Sequence, residues 1–203
     1  MPDLILASSS PYRRELLTRL RLPFESASPD IDESHRAGES AEELVRRLSA
    51  SKAEALAGRY PQHLVIGSDQ VAVLDGDILG KPHTPERAIQ QLRDASGKSV
   101  TFLTGLALLN SASRRIQVAC VPFTVHFRHL DESRIRRYVE AERPLDCAGS
   151  FKAEGLGVSL FRATEGEDAT SLVGLPLIRL VDMLLEEGVE IPCAGIPISG
   201  IPI

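Results

Sequence analysis

The stretch Leu4-Ile5-Leu6-Ala7-Ser8-Ser9-Ser10-Pro11-Tyr12-Arg13-Arg14 decides the fold. Four apolar residues are followed by three serines and a proline, after which Leu16, Leu17 and Leu20 recur at helical spacing. This reads as a strand, a polar turn and a helix. Ser10 is a good N-cap, and Pro11 suits the first helical position, where its φ is already set and its missing N–H costs nothing. Such a turn aims free N–H groups and the positive end of a helix dipole at one spot, a natural site for an anion. A plain capped connection has the same local sequence, so the turn alone leaves both readings open.

Working outward, Phe24 to Glu39 is polar and aperiodic, with Pro29 and the acidic residues Asp30, Asp32 and Glu33, and reads as a connection. Ser40-Ala41-Glu42-Glu43 is a capping box that opens a helix with Leu44, Val45, Leu48, Ala55 and Leu56 on one face, ending near Gly58. Lys52 lies midway between Leu48 and Leu56, inside that apolar stripe. A lysine there either snorkels to the edge of the core or points into a site. Leu64-Val65-Ile66-Gly67 reads as a buried strand that delivers Ser68, Asp69 and Gln70 at its end, and Asp75-Gly76 is a hairpin turn.

Gly80-Lys81-Pro82 leads to a helix opened by Thr84-Pro85-Glu86. Strand-like runs cover Val100 to Leu109 and Ile116 to Phe127, and a helix is expected from about Asp131 to Glu142. The glycine-punctuated stretch Cys147 to Gly155 precedes a strand expected near Leu156 to Phe161. A last helix is expected from about Pro176 to Glu187, with Leu177, Leu180, Val181, Leu184 and Leu185 inward. Early alternation of strands and helices with hairpins in the middle points to an α/β or α+β mixed sheet in two lobes sharing a cleft. Residues 1–188 read as a single domain, and 189–203, which carry Gly-Ile-Pro-Ile twice, as a C-terminal tail.

Composition narrows the function. The 203 residues include 28 acidic and 23 basic side chains, for a formal charge of -5. A net negative chain is a poor binder of nucleic acid polymers, so an anionic ligand must find local cations. No apolar run approaches the ~20 residues of a membrane helix. The N-terminus has neither the basic lead nor the long apolar run of a secretory signal, and Cys120, Cys147 and Cys193 form no CxxC pair. The expected compartment is the cytoplasm, with ordinary thiols and no His-based metal site.

Arg13, Glu33, Lys52, Asp69 and Lys81 are the charged residues that matter most. Singly, each is an ordinary solvated or capping group. Together they have what phosphate-anhydride cleavage needs: cations for phosphoryl oxygens, and carboxylates for a divalent metal and a water. The chain has no GxxxxGK[ST] segment and no GxGxxG after a strand, so neither a P-loop nor a dinucleotide fold is available.

The opening stretch, with Ile66-Gly67-Ser68-Asp69-Gln70-Val71, Leu79-Gly80-Lys81-Pro82 and Gly149-Ser150-Phe151-Lys152-Ala153-Glu154-Gly155, resembles the Maf family of nucleoside triphosphate pyrophosphatases. The likeness is nearest to the branch acting on 7-methyl-GTP. It runs from Leu4 to about Gly188, with four separated motifs in order. It implies an inosine-triphosphatase-like mixed twisted sheet with flanking helices, two lobes around a deep cleft, and often a homodimer. It also implies hydrolysis of the α-β phosphate bond with a divalent cation, Mg2+ or Mn2+.

Carried onto this sequence, the resemblance makes Asp69 the proton acceptor for water and a metal ligand, with Glu33 as the second carboxylate. Arg13, Lys52 and Lys81 would hold the triphosphate, and Ser8 would bind phosphate oxygens. Tyr12, Gln70 and Glu154 fall at the specificity positions. Methylation at N7 makes guanine a cation, so the Tyr12 face would gain ~0.5–2 kcal/mol by cation–π stacking. Tyrosine stands where the family pattern has tryptophan, a stronger face. Glu154 would accept from the N1–H and the exocyclic amine of guanine. The thymidine and uridine branch would instead carry arginine and glutamine at positions 12 and 154. The alternatives are a dTTP/UTP or broader modified-nucleotide pyrophosphatase, and a non-catalytic nucleotide-binding regulator of cell division.

Overall fold

In the computed structural model, which describes residues 3–192, the opening stretch folds as a buried strand β1 (Leu4–Ala7), a serine turn and helix α1 (Pro11–Thr18). The Ser10 side chain caps α1 by accepting from the Arg13 amide, and Pro11 occupies the first turn. Strand β2 (Phe24–Ala27) follows, then α2 (Ala41–Ala57), β3 (Leu64–Leu74), β4 (Asp77–Leu79) and α3 (Pro85–Ala95). The long hairpin of β5 (Ser99–Asn110) and β6 (Arg115–Phe127) precedes α4 (Glu132–Glu142), β7 (Phe161–Glu165) and α5 (Leu177–Glu186). Both arms of the expected capping box at Ser40 and Glu43 are present at the start of α2.

One seven-stranded sheet runs β2-β1-β3-β5-β6-β7, with β4 beside β3. The β2-β1-β3 side is parallel and the remainder antiparallel. Along one edge of β3, β1 covers residues 64–67 and β4 covers 72–74. Residues 68–71 between them have no strand neighbour on that side. A cleft therefore opens at Asp69 and Gln70, in mid-strand.

Helix α2 lies across β3 and β5 at backbone contact distance. A Cβ at Gly67 would sit 2.0 Å from the Ser49 carbonyl oxygen, and one at Gly105 would sit 2.1 Å from that of Val45. Both obstacles are helix backbone, so neither can rotate away. Gly67→Ala must therefore push α2 off the sheet, at a cost of about 1–3 kcal/mol. The expected result is a Tm lower by roughly 2–12 °C, and an unchanged melting curve would disprove this packing. On the sheet face opposite this contact the core divides into two lobes. One packs Phe102, Phe123, Phe127 and Phe151 with α3 and α4; the other packs Leu4, Leu6, Leu16 and Leu17 with α5.

The elements depart from the sequence reading at five places. On α2, Ala55 is exposed, and Ala53, one residue after Lys52, takes its place in the stripe that packs on the sheet. Residues 24–27 are a strand, because pairing with β1 in parallel register supplies partners that an edge segment with only Ala27 buried does not advertise. Strand β3 continues seven residues past Gly67, placing Asp69 within the strand instead of at its end. Leu156–Leu160 is a 3-10 helix, and β7 starts only at Phe161. Gly157 there packs so closely on the Lys152 carbonyl that a Cβ would sit 2.1 Å from it, while Leu156 and Val158 are exposed, so the apolar run has no strand to face. On α5, Met183 is buried and Leu185 is exposed. The Gly-Ile-Pro-Ile repeats and Cys193 lie outside the described residues.

Candidate active site

Side chains alternate across β3, and the two faces of its uncovered stretch do different work. Asp69 shares a face with Gly67 and so points toward α2. There the Lys52 ammonium donates to Asp69 Oδ1 at 2.6 Å and pairs with Glu33 Oε1 at 2.9 Å. Lys52 is only 6% exposed, which excludes the snorkelling alternative. A buried ammonium depends on its buried partner, Asp69, because losing that carboxylate would leave its charge with only the more exposed Glu33 to offset it.

Ser68 and Gln70 point to the opposite face, toward the segment leading into α5. Ser68 Oγ donates to the Gly174 carbonyl at 2.9 Å. The Gln70 amide donates to Thr104 Oγ1 at 2.9 Å and to the carbonyls of Ser171 and Leu172 at 2.7 and 3.2 Å. Arg13 is drawn to the same place, its Nε donating to the Gly174 oxygen at 2.8 Å. Burial pulls the Arg13 pKa below its ordinary value and the Asp69 and Glu33 charges oppose that, so the guanidinium stays a cation.

Two adjoining cavities occupy the cleft. The larger, about 470 Å3, is lined by Ser8, Arg13, Glu33, Lys52, Asp69 and Lys81. The smaller, about 130 Å3, is lined by Tyr12, Gln70, Glu154, Asp146, Cys147 and Phe151 among others. Tyr12, Arg13, Gln70, Lys81 and Asp146 line both, so the cavities form one path. Every residue singled out from the sequence lines one or both. Lys81 is exposed and has no ion-pair partner among the described residues, which leaves its charge for a ligand.

The segment bearing Glu154 is held by α4: the Lys152 amide donates to the Tyr138 hydroxyl, the Lys152 ammonium to the Glu142 carbonyl, and the Leu156 amide to Glu142 Oε1. Glu154 itself is exposed to the cleft. Burial, with Cys147 and Asp146 nearby, raises the Tyr12 pKa, so the ring stays a neutral phenol. Burial and Asp146 likewise push the Cys147 thiol up to about 12, which leaves it unreactive at neutral pH. Asp146, Cys147, Thr104 and the carbonyls of 171–174 escaped the sequence reading. Asp146 and Cys147 adjoin the Gly149 motif and could have been found there; backbone carbonyls carry no sequence signal.

A family model described as Maf-like protein matches residues 3–187. The chain belongs to the Maf family. It is 99% identical over 192 residues, 95% of this chain and all of the relative, to a 7-methyl-GTP pyrophosphatase of Pseudomonas aeruginosa PAO1. It is 74% identical, with the same coverage, to a protein of that name in Pseudomonas savastanoi pv. phaseolicola. Among solved structures, a HAM1 protein from Coxiella burnetii (TM-score 0.53, 15% identity) and the Staphylococcus aureus Ham1 protein (TM-score 0.52, 16% identity) share the fold. Each match covers 92% of this chain and 100% of the other.

For this Maf chain, the donor set fits a divalent cation that arrives with a nucleotide. Among the described residues no cluster of three or more acidic, histidine or cysteine donors exists to cage a metal with protein groups alone. Asp69 and Glu33 together line the larger cavity. Mg2+ typically takes one or two carboxylates and fills its other positions with waters and substrate phosphates. Among the described residues no helix is long and apolar enough to cross a membrane.

Proposed function

We propose that this chain is a nucleoside triphosphate pyrophosphatase that hydrolyses 7-methyl-GTP to 7-methyl-GMP and pyrophosphate in the cytoplasm. The observation that carries the reading is the pair of joined cavities. One is lined by cations and carboxylates around the Lys52–Asp69 pair, and the other by the Tyr12 and Phe151 rings and the carboxylates Asp146 and Glu154, with Lys152 also on its wall and Arg13 and Lys81 shared between the two. The names of the close relatives support the same substrate.

Asp69 accepts a proton from water as the water oxygen bonds to the α-phosphorus. The bond from that phosphorus to the α-β bridging oxygen breaks, and pyrophosphate leaves. Arg13, Lys52 and Lys81 offset the charge on the triphosphate oxygens, which otherwise repels the incoming oxygen. The α1 N-terminus and Ser8 add N–H and hydroxyl groups at the same end of the cleft. Asp69 and Glu33 would hold the divalent cation, which when bound supplies further charge neutralisation. Lys52 keeps both carboxylates at fixed positions through its 2.6 and 2.9 Å contacts.

In the smaller cavity the Tyr12 ring stacks on the base and Glu154 accepts from its N1–H and amine. The methyl group is sensed through the positive charge it gives the base, which Tyr12 and the neighbouring carboxylates favour. A pyrophosphate-release assay on 7-methyl-GTP, GTP, dTTP and UTP tests the reading. The expected order puts 7-methyl-GTP ahead of GTP by roughly 2- to 30-fold in kcat/KM, with dTTP and UTP slower still. Chelation should stop the reaction and Mg2+ or Mn2+ restore it. Equal rates on all four substrates would overturn the specificity.

A further inference from the structure

The segment from Asp168 to Gly174 turns a row of backbone carbonyls toward the candidate site, and its Leu172 and Val173 also line the smaller cavity. Its carbonyls accept from the three polar side chains that aim at it from the sheet and from Arg13 on α1. Ser171 O takes Gln70 and Thr104, Leu172 O takes Gln70, and Gly174 O takes Arg13 and Ser68. Gly174 has φ +114°, a conformation side-chain-bearing residues rarely adopt, and a Cβ there would lie 3.4 Å from Arg13 Nε. This turn directs its carbonyl at Arg13 and leaves room for the guanidinium.

What holds the segment is a buried carboxylate with no contact to either cavity. Asp168 is 3% exposed. Its Oδ1 accepts from the Thr170 amide and hydroxyl at 2.9 and 2.5 Å, and its Oδ2 accepts from the Ile178 amide in the first turn of α5 at 2.8 Å. The Thr170 hydroxyl accepts from the Leu177 amide at 2.8 Å, and the Ser171 hydroxyl donates to the Asp168 carbonyl. The open amides at the start of α5, a position where a negative charge is favoured, thus anchor the segment.

We propose that Asp168 and Thr170 are positioning residues: they lock the 168–174 segment to α5 so that its carbonyls aim Arg13 along the triphosphate and Gln70 toward the base. The proposal rests on the pyrophosphatase reading. One segment thereby sets a phosphate-side and a base-side residue together, and loosening it costs both grips at once. Misplacement of binding groups by about 1 Å from a remote substitution is enough to lower catalysis on the order of 100-fold.

The test is steady-state kinetics of the full chain on 7-methyl-GTP, with melting curves alongside. Asp168→Asn and Thr170→Val are expected to lower kcat/KM about 10- to 100-fold, chiefly through KM. Thr170→Ser, which keeps the hydroxyl, should recover most of the loss seen in Thr170→Val. In an Arg13→Gln, Gln70→Ala background, Asp168→Asn should cost less than about threefold, because the groups it positions are gone. If Asp168→Asn fails to fold, the Thr170 pair and its cycle with Arg13→Gln carry the test. A fall in Tm with KM unchanged, or costs that multiply fully across the double variants, would overturn the proposal and leave a purely structural role. A wild-type chain that releases no pyrophosphate from any triphosphate would overturn the functional reading and this proposal together, whereas an active wild type with indifferent variants refutes only the latter.

Discussion

Asp69→Asn is expected to lower kcat for 7-methyl-GTP by about 100- to 10,000-fold, the range by which a positioned general base accelerates proton transfer. The asparagine keeps the shape and one acceptor for Lys52, so nucleotide binding should weaken far less than turnover. The physical reason is the Lys52–Asp69 pairing. Lys52 lies at 2.6 Å from one oxygen of Asp69, which orients the carboxylate and leaves the other oxygen for water. An amide has no oxygen that can take the proton near neutral pH. Pyrophosphate release measured on enzyme whose melting curve matches wild type decides the matter. Full turnover would remove Asp69 from the role of base, while a large rise in KM with kcat intact would make it a binding group only.

Glu154→Gln should reorder the substrates. A carboxylate can accept from both the N1–H and the exocyclic amine of a guanine, whereas glutamine offers one acceptor and turns its own amide donors toward the other. With charge-assisted hydrogen bonds contributing roughly 1.5–3 kcal/mol each, kcat/KM for 7-methyl-GTP and GTP is expected to fall about 100-fold or more. The values for dTTP and UTP, which lack that donor pair, should change far less or rise. Glu154 is exposed on a segment whose backbone is held by Tyr138 and Glu142. The exchange should therefore leave stability within about 0.5 kcal/mol. An unchanged ranking of the four nucleotides would dismiss Glu154 as the group that reads the base.

How legible these features were varies with the kind of interaction behind them. The helix starts at Ser10, Ser40 and Thr84 were readable because a cap is a bond between residues three apart in the chain. The Asp75-Gly76 turn was readable because both residues must take positive φ, and they do, at 53° and 94°. Lys52 was half readable. Its place in an apolar stripe marked it as unusual, but only the packing of α2 onto Gly67 and Gly105 shows that it reaches Asp69 rather than the surface. Strand β2 and the 3-10 helix at Leu156–Leu160 were misread for one reason: each owes its conformation to a neighbour distant in sequence, or to the lack of one.

By itself, then, the sequence determined most of the local elements, the absence of a P-loop or dinucleotide motif, the Maf resemblance and nine of the residues that line the cleft, from Ser8 to Glu154. Those rest on short-range bonds, side-chain periodicity and motif spacing, which a linear string records. Only the tertiary structure decided that β3 is left uncovered at residues 68–71, and that Lys52 bridges Glu33 and Asp69. It alone put Arg13, Ser68 and Gln70 on the carbonyls of one buried segment. Those arrangements depend on which strand ends lie side by side and which backbone oxygens face inward. Such contacts join residues as far apart as Arg13 and Gly174, and a backbone carbonyl is the same in every residue, so no pattern of side chains could have announced them.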